Sequence, residues 1–351
     1  MKQTLKVAIY SGPLTSEHSV RGIGIHTRML IEELEKIPNI NITLTDLHST
    51  TASQFNVIHY PNFHPYFFSF PFSVPINSVI TIHDLIPLIY PYAYPAGLKG
   101  RLRFQIQKLL LPKFKAVITI SETSKKDIIR FLNIPEEKIH VIYLAPRKIF
   151  KRLRSGKWQY TIQKKFNLPH KFVLYVGDVN YNKNLNSLAK ACKKINVPLV
   201  MVGKQAANNT VDNNHPENKP FANLLQDYGK DKNLIRLGFV EDKILVKIYN
   251  LASVYVQPSL YEGFGLPVLE AMACGVPTIC SRTQALCEIA GDNTEYFEPL
   301  NVNDMANGIS KLLTNKTLRS NLSKKGLKHI SKFTWEKTAR ETIDVYQQIA
   351  K

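Results

Sequence analysis

Cysteine is scarce. The four thiols, Cys192, Cys274, Cys280 and Cys287, make no C-x-x-C pair and have no histidine at zinc spacing. A disulfide scaffold and a small zinc module are both excluded, and reduced, buried thiols are expected. No apolar run approaches the length of a membrane-spanning helix. The opening segment, Met1 to Tyr10, lacks the apolar h-region and small-residue cleavage site of a secretory leader, so a cytoplasmic protein is expected. Repeats and low-complexity tracts are absent. The first strand–turn reads Ser11-Gly-Pro-Leu rather than G-x-G-x-x-G, which argues against a dinucleotide oxidoreductase. No D-x-D occurs, so a D-x-D metal site is not expected.

Acidic residues are also few: 27 against 46 basic, a net charge of +19. That balance favours anionic partners such as phosphorylated substrates or anionic lipid, unless it is compositional bias. Nucleic acid is not expected, because no RNA-binding signature accompanies the charge. One local run stands out, Arg147 to Lys171, with nine basic residues and no acidic one.

What is present in abundance is alternation. The chain is too long for one ordinary core. Short β-rich runs alternate with helical patterns, which indicates parallel α/β architecture. Strands are expected at 6–10, 41–44, 57–60, 78–82, 116–120 and 138–142. A second set follows at 172–176, 199–202, 235–238, 253–257, 278–280 and 294–297. Helices are expected around Ile23–Ile37 and at 101–111, 124–131, 185–195, 242–251, 267–274 and 304–313. Residues 207–220 read as a polar loop. The fold class is two doubly wound, Rossmann-like domains facing across a cleft. Their expected extents are 1–152 and 153–332, with a helix over 333–351 returning to the first. Ligands of such sheets bind at the carboxyl ends of strands, at switch points.

The most informative string is Val254-Tyr-Val-Gln-Pro-Ser-Leu-Tyr-Glu-Gly-Phe-Gly-Leu-Pro-Val-Leu-Glu-Ala-Met-Ala-Cys-Gly-Val-Pro277. A strand runs into a turn holding Gly263 and Gly265, and Pro267 then sits where a helix starts. Backbone N–H groups at such a helix N-terminus form an anion site suited to a diphosphate. Glu262 and Glu270 can both face one ligand, where a carboxylate grips vicinal hydroxyls. The bland alternative is that Glu262 complements the helix dipole and Glu270 is solvated.

The whole string resembles the signature of glycosyltransferase family 4, the retaining group of GT-B fold. The resemblance implies roles. Glu262, with the Phe264 and Gly265 backbone, would hold the donor sugar, and Glu270 the ribose. Ser259, Gly263 and Leu266 belong to the same donor loop. Arg21-Gly22-Ile-Gly24 is similar to the family's glycine turn, so Gly22 and Gly24 are candidate diphosphate or acceptor contacts. Thr81-Ile-His-Asp-Leu-Ile-Pro-Leu88 matches the family's histidine segment, placing His83 near the anomeric centre with Asp84 beside it. Ser121 reads as a helix cap. Val176-Gly-Asp-Val-Asn-Tyr-Asn-Lys-Asn184 is similar to V-G-x-x-x-x-R-K-N, and Lys183 would neutralise the diphosphate. The family's arginine is missing there, with Asn182 and Asp178 in its neighbourhood. Either Arg282 or Lys204 compensates, or the site is weak. Residues 286–292 resemble a loop that helps close the site.

The resemblance further implies a nucleotide-sugar donor, transfer with retention and no protein nucleophile. No metal or other cofactor is expected. GDP-mannose is the favoured donor, with UDP- and dTDP-sugars as alternatives. A binding protein without strong catalysis is the rival reading. The acceptor would be a glycan or a lipid-linked sugar in cell-surface polysaccharide synthesis. Two segments bear on that side. Tyr60 to Phe72 holds seven aromatics in thirteen residues, which either pack in a loop core or meet sugar rings or a membrane interface. Lys99 to Lys115 is basic and amphipathic. It reads as a domain helix with a solvated charged face, or as a segment lying on an anionic membrane surface.

Overall fold

A computed structural model of the chain describes residues 4–15, 22–46, 52–212 and 214–350. Among these residues, the elements in the first part of the chain are β1 (Leu5–Tyr10), α1 (Gly12–Thr15), α2 (Gly22–Leu34), β2 (Ile40–Thr45), β3 (Val57–Tyr60), β4 (Ser78–Thr81), α3 (Ile86–Ile89), α4 (Gly97–Leu110), β5 (Ala116–Thr119), α5 (Glu122–Leu132) and β6 (Ile139–Val141). Then come α6 (Trp158–Phe166), β7 (Val173–Val176), α7 (Leu185–Lys194), β8 (Leu199–Val202), α8 (Lys219–Tyr228), β9 (Leu234–Leu237), α9 (Asp242–Leu251) and β10 (Val254–Gln257). The chain closes with α10 (Leu266–Ala273), β11 (Thr278–Ser281), α11 (Gln284–Ala290), β12 (Glu295–Phe297), α12 (Val302–Thr314), α13 (Lys316–His329) and α14 (Trp335–Ile349).

The chain divides into two compact units. One holds Met1–Ala145 and Phe333–Lys351, the other Pro146–Lys332. Each is built on a six-stranded sheet, ordered β2-β1-β3-β4-β5-β6 in the first and β12-β11-β10-β7-β8-β9 in the second. Every strand pair is parallel. Strands β3, β4, β5, β7, β8, β10 and β11 are buried along their whole length. They therefore read as near-continuous apolar runs rather than alternating ones, as strands covered on both faces do.

In the first unit, the apolar sides of α2 and α14 close one face of the sheet, with Leu30, Leu34, Ala339, Ile343 and Tyr346 against Val7, Ile9, Val79 and Ile118. The sequence of α14 fixes its start: Thr334 caps it, accepting from Lys337 N at 3.1 Å. A buried polar chain pins it to the sheet. His59 of β3 bonds Tyr346 Oη at 2.6 Å through Nδ1 and Thr81 Oγ1 at 2.7 Å through Nε2. Burial, aided by nearby His83, pushes the His59 imidazole down to about 3, so it is neutral at physiological pH.

Asparagine is put to a specific use. Among the described residues, every non-glycine residue of positive φ is an Asn: Asn39, Asn133, Asn167, Asn184 and Asn196. Asn133 and Asn167 occupy the left-handed position that ends α5 and α6.

Helix α4 meets the expectation in part: Lys99 and Arg101 are exposed and Phe104 and Leu110 pack against the core, but Leu98, Leu102 and Leu109 are exposed as well. The aromatic segment before it splits: Tyr60, Phe63 and Phe70 enter the core, while Phe67, Phe68 and Phe72 are exposed.

Candidate functional site

In the second unit the sheet order reverses between β7 and β10, the position where doubly wound sheets bind ligands. The loops leaving these two strands meet there. After β7, Leu260 N donates to Asn182 O at 2.7 Å, and Asn182 Nδ2 donates to Tyr261 O at 2.9 Å. Asn184 Nδ2 donates to Pro258 O at 3.1 Å and to Pro299 O at 2.7 Å. Asn182, at the place of the expected arginine, is therefore a buried clasp between the loops rather than a charge.

The clasp brings Lys183 to Glu262. Lys183 Nζ donates to both carboxylate oxygens, at 2.8 and 3.0 Å. Glu262 Oε1 also accepts from Gln257 Nε2 at 2.9 Å and from Ser259 Oγ at 2.6 Å. Gln257 in turn donates to Ser259 Oγ at 2.9 Å and accepts from the buried Tyr255 hydroxyl. Glu262, Ser259 and Gln257 are all buried. A carboxylate held by an ammonium, a hydroxyl and an amide has a fixed position.

The turn beyond needs glycine. Gly265 has φ +103°, and a β-carbon there would lie 2.6 Å from Leu286 Cδ2. Gly263, Phe264 and Gly265 are buried, and Leu266 and Pro267 are half-buried at the start of α10, which no side chain caps.

Glu270 belongs to a different cluster. Its Oε1 accepts from Arg147 Nε at 3.2 Å and Nη2 at 2.9 Å, and its Oε2 from Tyr249 Oη at 3.3 Å. Arg147 also meets Asp242 at 2.5 Å. Burial pushes the Glu270 carboxyl up, and Arg147 opposes it. Burial lowers Arg147, but Glu270 and Asp242 together outweigh it and leave the guanidinium raised. Glu262 and Glu270 thus share no partner among these bonds. Of the two residues considered as substitutes for the missing arginine, Arg282 pairs with Glu298 at 3.3 Å and lies over Tyr296, and Lys204 is exposed.

In the first unit His83 follows β4 and is buried. Its Nε2 meets His26 Nδ1 at 2.7 Å, and His26 stacks on Trp335 with centroids 5.9 Å apart. Burial, with a contribution from His59, pushes the His26 imidazole down to about 3, so His26 is neutral at physiological pH. Ser124 Oγ donates to His83 O at 2.7 Å, and Ser121 caps α5 by accepting from Ser124 N at 2.9 Å. Asp84 Oδ1 accepts from Ile86 N at 3.1 Å and so shapes the start of α3. Gly22 opens α2 and is exposed among the described residues, and Gly24 is buried in its first turn. Arg21, read beside Gly22, lies outside the described residues, as does Asn213 of the polar loop.

Gln257, Asn182, Arg147, Tyr249 and His26 were not singled out as site residues from sequence. Only Asn182 had a signal, as the residue near a missing arginine.

A Rossmann-ordered sheet carrying at its switch point a glycine turn, a helix N-terminus and a lysine–carboxylate pair defines a doubly wound α/β protein with its candidate site at the switch point. The chain belongs to the glycosyltransferases of family 4, group 1. Residues 12–145 match the model described as Glycosyltransferase Family 4, and residues 157–329 that of Glycosyl transferases group 1. The O-antigen chain mannosyltransferase B of Escherichia coli is 30% identical over 280 residues, which cover 77% of this chain and 70% of that protein. The serotype-specific mannosyltransferase WbdA of Escherichia coli is 31% identical over 286 residues, covering 79% of this chain. The matched part spans about a third of WbdA, 34% of its length. The fold is that of sucrose-phosphate synthase from Thermosynechococcus elongatus, with TM-score 0.78, 22% identity and 98% of both chains covered. Anabaena HepE in complex with UDP-glucose gives TM-score 0.75 at 14% identity, covering 98% of this chain and all of HepE. These are GT-B proteins, and the chain has the GT-B fold.

Proposed function

We propose that the protein transfers a mannosyl residue from GDP-mannose, with retention, to a glycan or lipid-linked acceptor in cell-surface polysaccharide synthesis. The observation that carries the transferase reading is the pairing of half-buried Lys183 with buried Glu262 at the β7/β10 switch point, beside the uncapped start of α10. The mannosyl choice rests on the names of the two Escherichia coli relatives. A UDP-sugar donor is the second reading, favoured by the UDP-glucose bound to HepE.

The chemistry follows from the leaving group. A glycosyl diphosphate departs as a nucleoside diphosphate, and positive charge develops at the anomeric carbon. Lys183 and the backbone N–H groups of Phe264 to Leu266 stabilise the departing phosphate. Glu262, with Ser259 and Gln257 fixing its orientation, accepts from the sugar hydroxyls. Glu270, held by Arg147, accepts from the ribose through the oxygen that faces Tyr249. His83 contacts the sugar, its ring set by His26. Gly22 and Gly24 give the acceptor or diphosphate close backbone approach, and Asp84 shapes the loop beside His83. On this reading the leaving phosphate takes the acceptor proton, no side chain forms a glycosyl intermediate, and no metal ion takes part.

Purified protein offered GDP-mannose, UDP-glucose and dTDP-sugars with a mannose-terminated acceptor tests the reading. The product's anomeric coupling reports retention. Transfer from GDP-mannose to an α-linked product supports it. Transfer from another donor alone transfers the reading to that sugar nucleotide, and a β-linked product overturns retention.

A further inference from the structure

We propose, resting on the donor site read at Lys183 and Glu262, that the Thr283 hydroxyl is a further donor-binding group, hydrogen-bonding an oxygen of the glycosyl diphosphate beside the glycine turn.

Buried polar groups nearly always find a partner, so those that do not are informative. Among the described residues of the second unit, the buried side-chain polar atoms with no hydrogen-bond partner are Asn186 Oδ1, Gln205 Oε1 and Thr283 Oγ1. Each stands just beyond the carboxyl end of a strand. Asn186 lies in the first turn of α7, after β7, while Gln205 follows β8 and Thr283 follows β11. Unmet hydrogen-bonding capacity thus collects on the edge at which a doubly wound sheet takes its ligand.

Thr283 is the most enclosed of these, 7% exposed, whereas Asn186 and Gln205 are half-buried. Its local structure offers a use for the hydroxyl that is not taken. Thr283 is the N-cap of α11, with extended backbone at φ −115° and ψ 155°. A threonine there ordinarily accepts from an amide of the first turn, as Thr334 does for α14. Thr283 makes no such bond. Its main chain is committed: the N–H donates to Ser281 O at 2.8 Å, and the carbonyl accepts from Cys287 N at 2.9 Å. The hydroxyl alone is left buried and unbonded.

Its neighbours identify what it meets. Strand β11 lies beside β10, with Cys280 opposite Gln257, and Ser281 Oγ donates to Gln257 O at 3.3 Å. Just past Gln257 the chain becomes the donor loop. Leu286, three residues after Thr283 and on the same side of α11, is the side chain that a β-carbon on Gly265 would strike. Strands β11 and β12 are parallel, so α11 between them runs away from the carboxyl edge. Thr283 therefore stands about 4.5 Å nearer the ligand side than Leu286. At that level it borders the glycine turn, where the backbone N–H groups of Phe264 to Leu266 are assigned to the leaving diphosphate. A hydroxyl both donates and accepts, so an oxygen-rich ligand completes it. Phosphate oxygens and sugar hydroxyls share this chemistry, and titration with and without the sugar separates them.

Calorimetric titration of the full chain with GDP, GDP-mannose, UDP and UDP-glucose tests the proposal on wild type, Thr283→Val, Thr283→Ser and Lys183→Met. Thr283→Val removes the hydroxyl and nearly keeps the shape. If the partner is phosphate, it weakens both the nucleoside diphosphate that the wild type binds and its sugar by about 10- to 100-fold, as loss of a bond to a charged acceptor does. If the partner is a sugar hydroxyl, the sugar nucleotide alone weakens, by about 2- to 10-fold. Thr283→Ser keeps the hydroxyl and binds like the wild type. The melting temperature of the ligand-free protein separates binding from packing. A hydroxyl with no protein partner leaves it unchanged or raised in Thr283→Val, because an unsatisfied buried group is removed. Wild-type affinity for nucleotide and sugar nucleotide in Thr283→Val, alongside loss in Lys183→Met, overturns the proposal and leaves the donor site standing. A lowered melting temperature in the valine variant shows that the hydroxyl serves the fold and overturns it too. Absence of binding by the wild type removes the donor site and the proposal together.

Discussion

Arg147→Met offers a quantitative test of the second unit. Arg147 is 15% and Glu270 4% exposed at the side chain, so the pair is desolvated, whereas Asp242 at 42% is not. Removing one partner of a buried pair leaves an uncompensated charge, at a cost of about 3–5 kcal/mol. The exposed Asp242 contact adds little. For a unit the size of Pro146–Lys332, about 2–4 °C per kcal/mol gives a fall in melting temperature of roughly 6–20 °C. Replacing both partners, Arg147→Met/Glu270→Gln, removes the orphaned charge and restores most of the loss. The pH dependence has a definite sign. Burial already holds the folded Glu270 carboxyl above its unfolded value, and Arg147 is the main opposing influence. Without Arg147 the folded state binds that proton more tightly still, so stability falls as pH rises above the unfolded carboxyl value. The deficit of Arg147→Met is therefore largest at neutral pH and shrinks on acidification. Differential scanning calorimetry across pH measures it. A shift below about 2 °C at neutral pH, or a double variant no better than the single, refutes the buried-pair argument.

Other outcomes follow from the same geometry. Glu262→Ala and Lys183→Met each lower kcat/KM for sugar transfer by about 10²–10³, as loss of one preorganised charge does; near-wild-type turnover in either rules out its role. Gly265→Ala places a β-carbon against Leu286 in a left-handed backbone, for about 2–4 kcal/mol from strain and overpacking together, read by urea unfolding. His26 and His59, both held down to about 3, resist protonation when folded but accept it near 6.5 when unfolded. Each contributes stability present above pH 6.5 and lost on acidification towards 3, at about 1.4 kcal/mol per pH unit. His59→Gln flattens that slope, and an unchanged slope refutes the assignment. Transfer is expected to survive EDTA; loss on EDTA and recovery on manganese would show a metal requirement.

The strands were legible because each is a short apolar run bounded by turn residues, and all twelve expected segments overlap an observed strand. Helices α1, α3, α6, α8, α11 and α13 were not, and α11 (Gln284–Ala290) takes up most of the segment 286–292 that was read as a loop. In α13, Lys316–His329, only Leu322 and Gly326 are buried, so no apolar period marks it. The donor loop was legible because Gly265 and Pro267 punctuate it. Its supporting polar groups were not: Gln257, Asn182 and Tyr249 are ordinary residues until tertiary structure places them on Glu262, Tyr261 and Glu270. The basic run from Arg147 onward gave no hint that its first member balances a buried glutamate. Helix α4 shows the limit of periodicity most clearly. Leu98, Leu102 and Leu109 stay exposed, while Gln107 is buried with its Oε1 accepting from Ser69 N at 3.0 Å, and only tertiary contact decides this.

The most direct test of the central claim is a thermal-shift panel of GDP, UDP and dTDP and their sugars on the wild type, Lys183→Met and Glu262→Ala. A ligand at a hundred times its dissociation constant stabilises by about 2.7 kcal/mol, or roughly 5–10 °C for a unit of this size. Such a shift is expected with one nucleotide class, GDP foremost, and its loss or strong reduction in both variants. No shift with any nucleotide or sugar nucleotide, or the same shift in all three proteins, contradicts a donor site at Lys183 and Glu262.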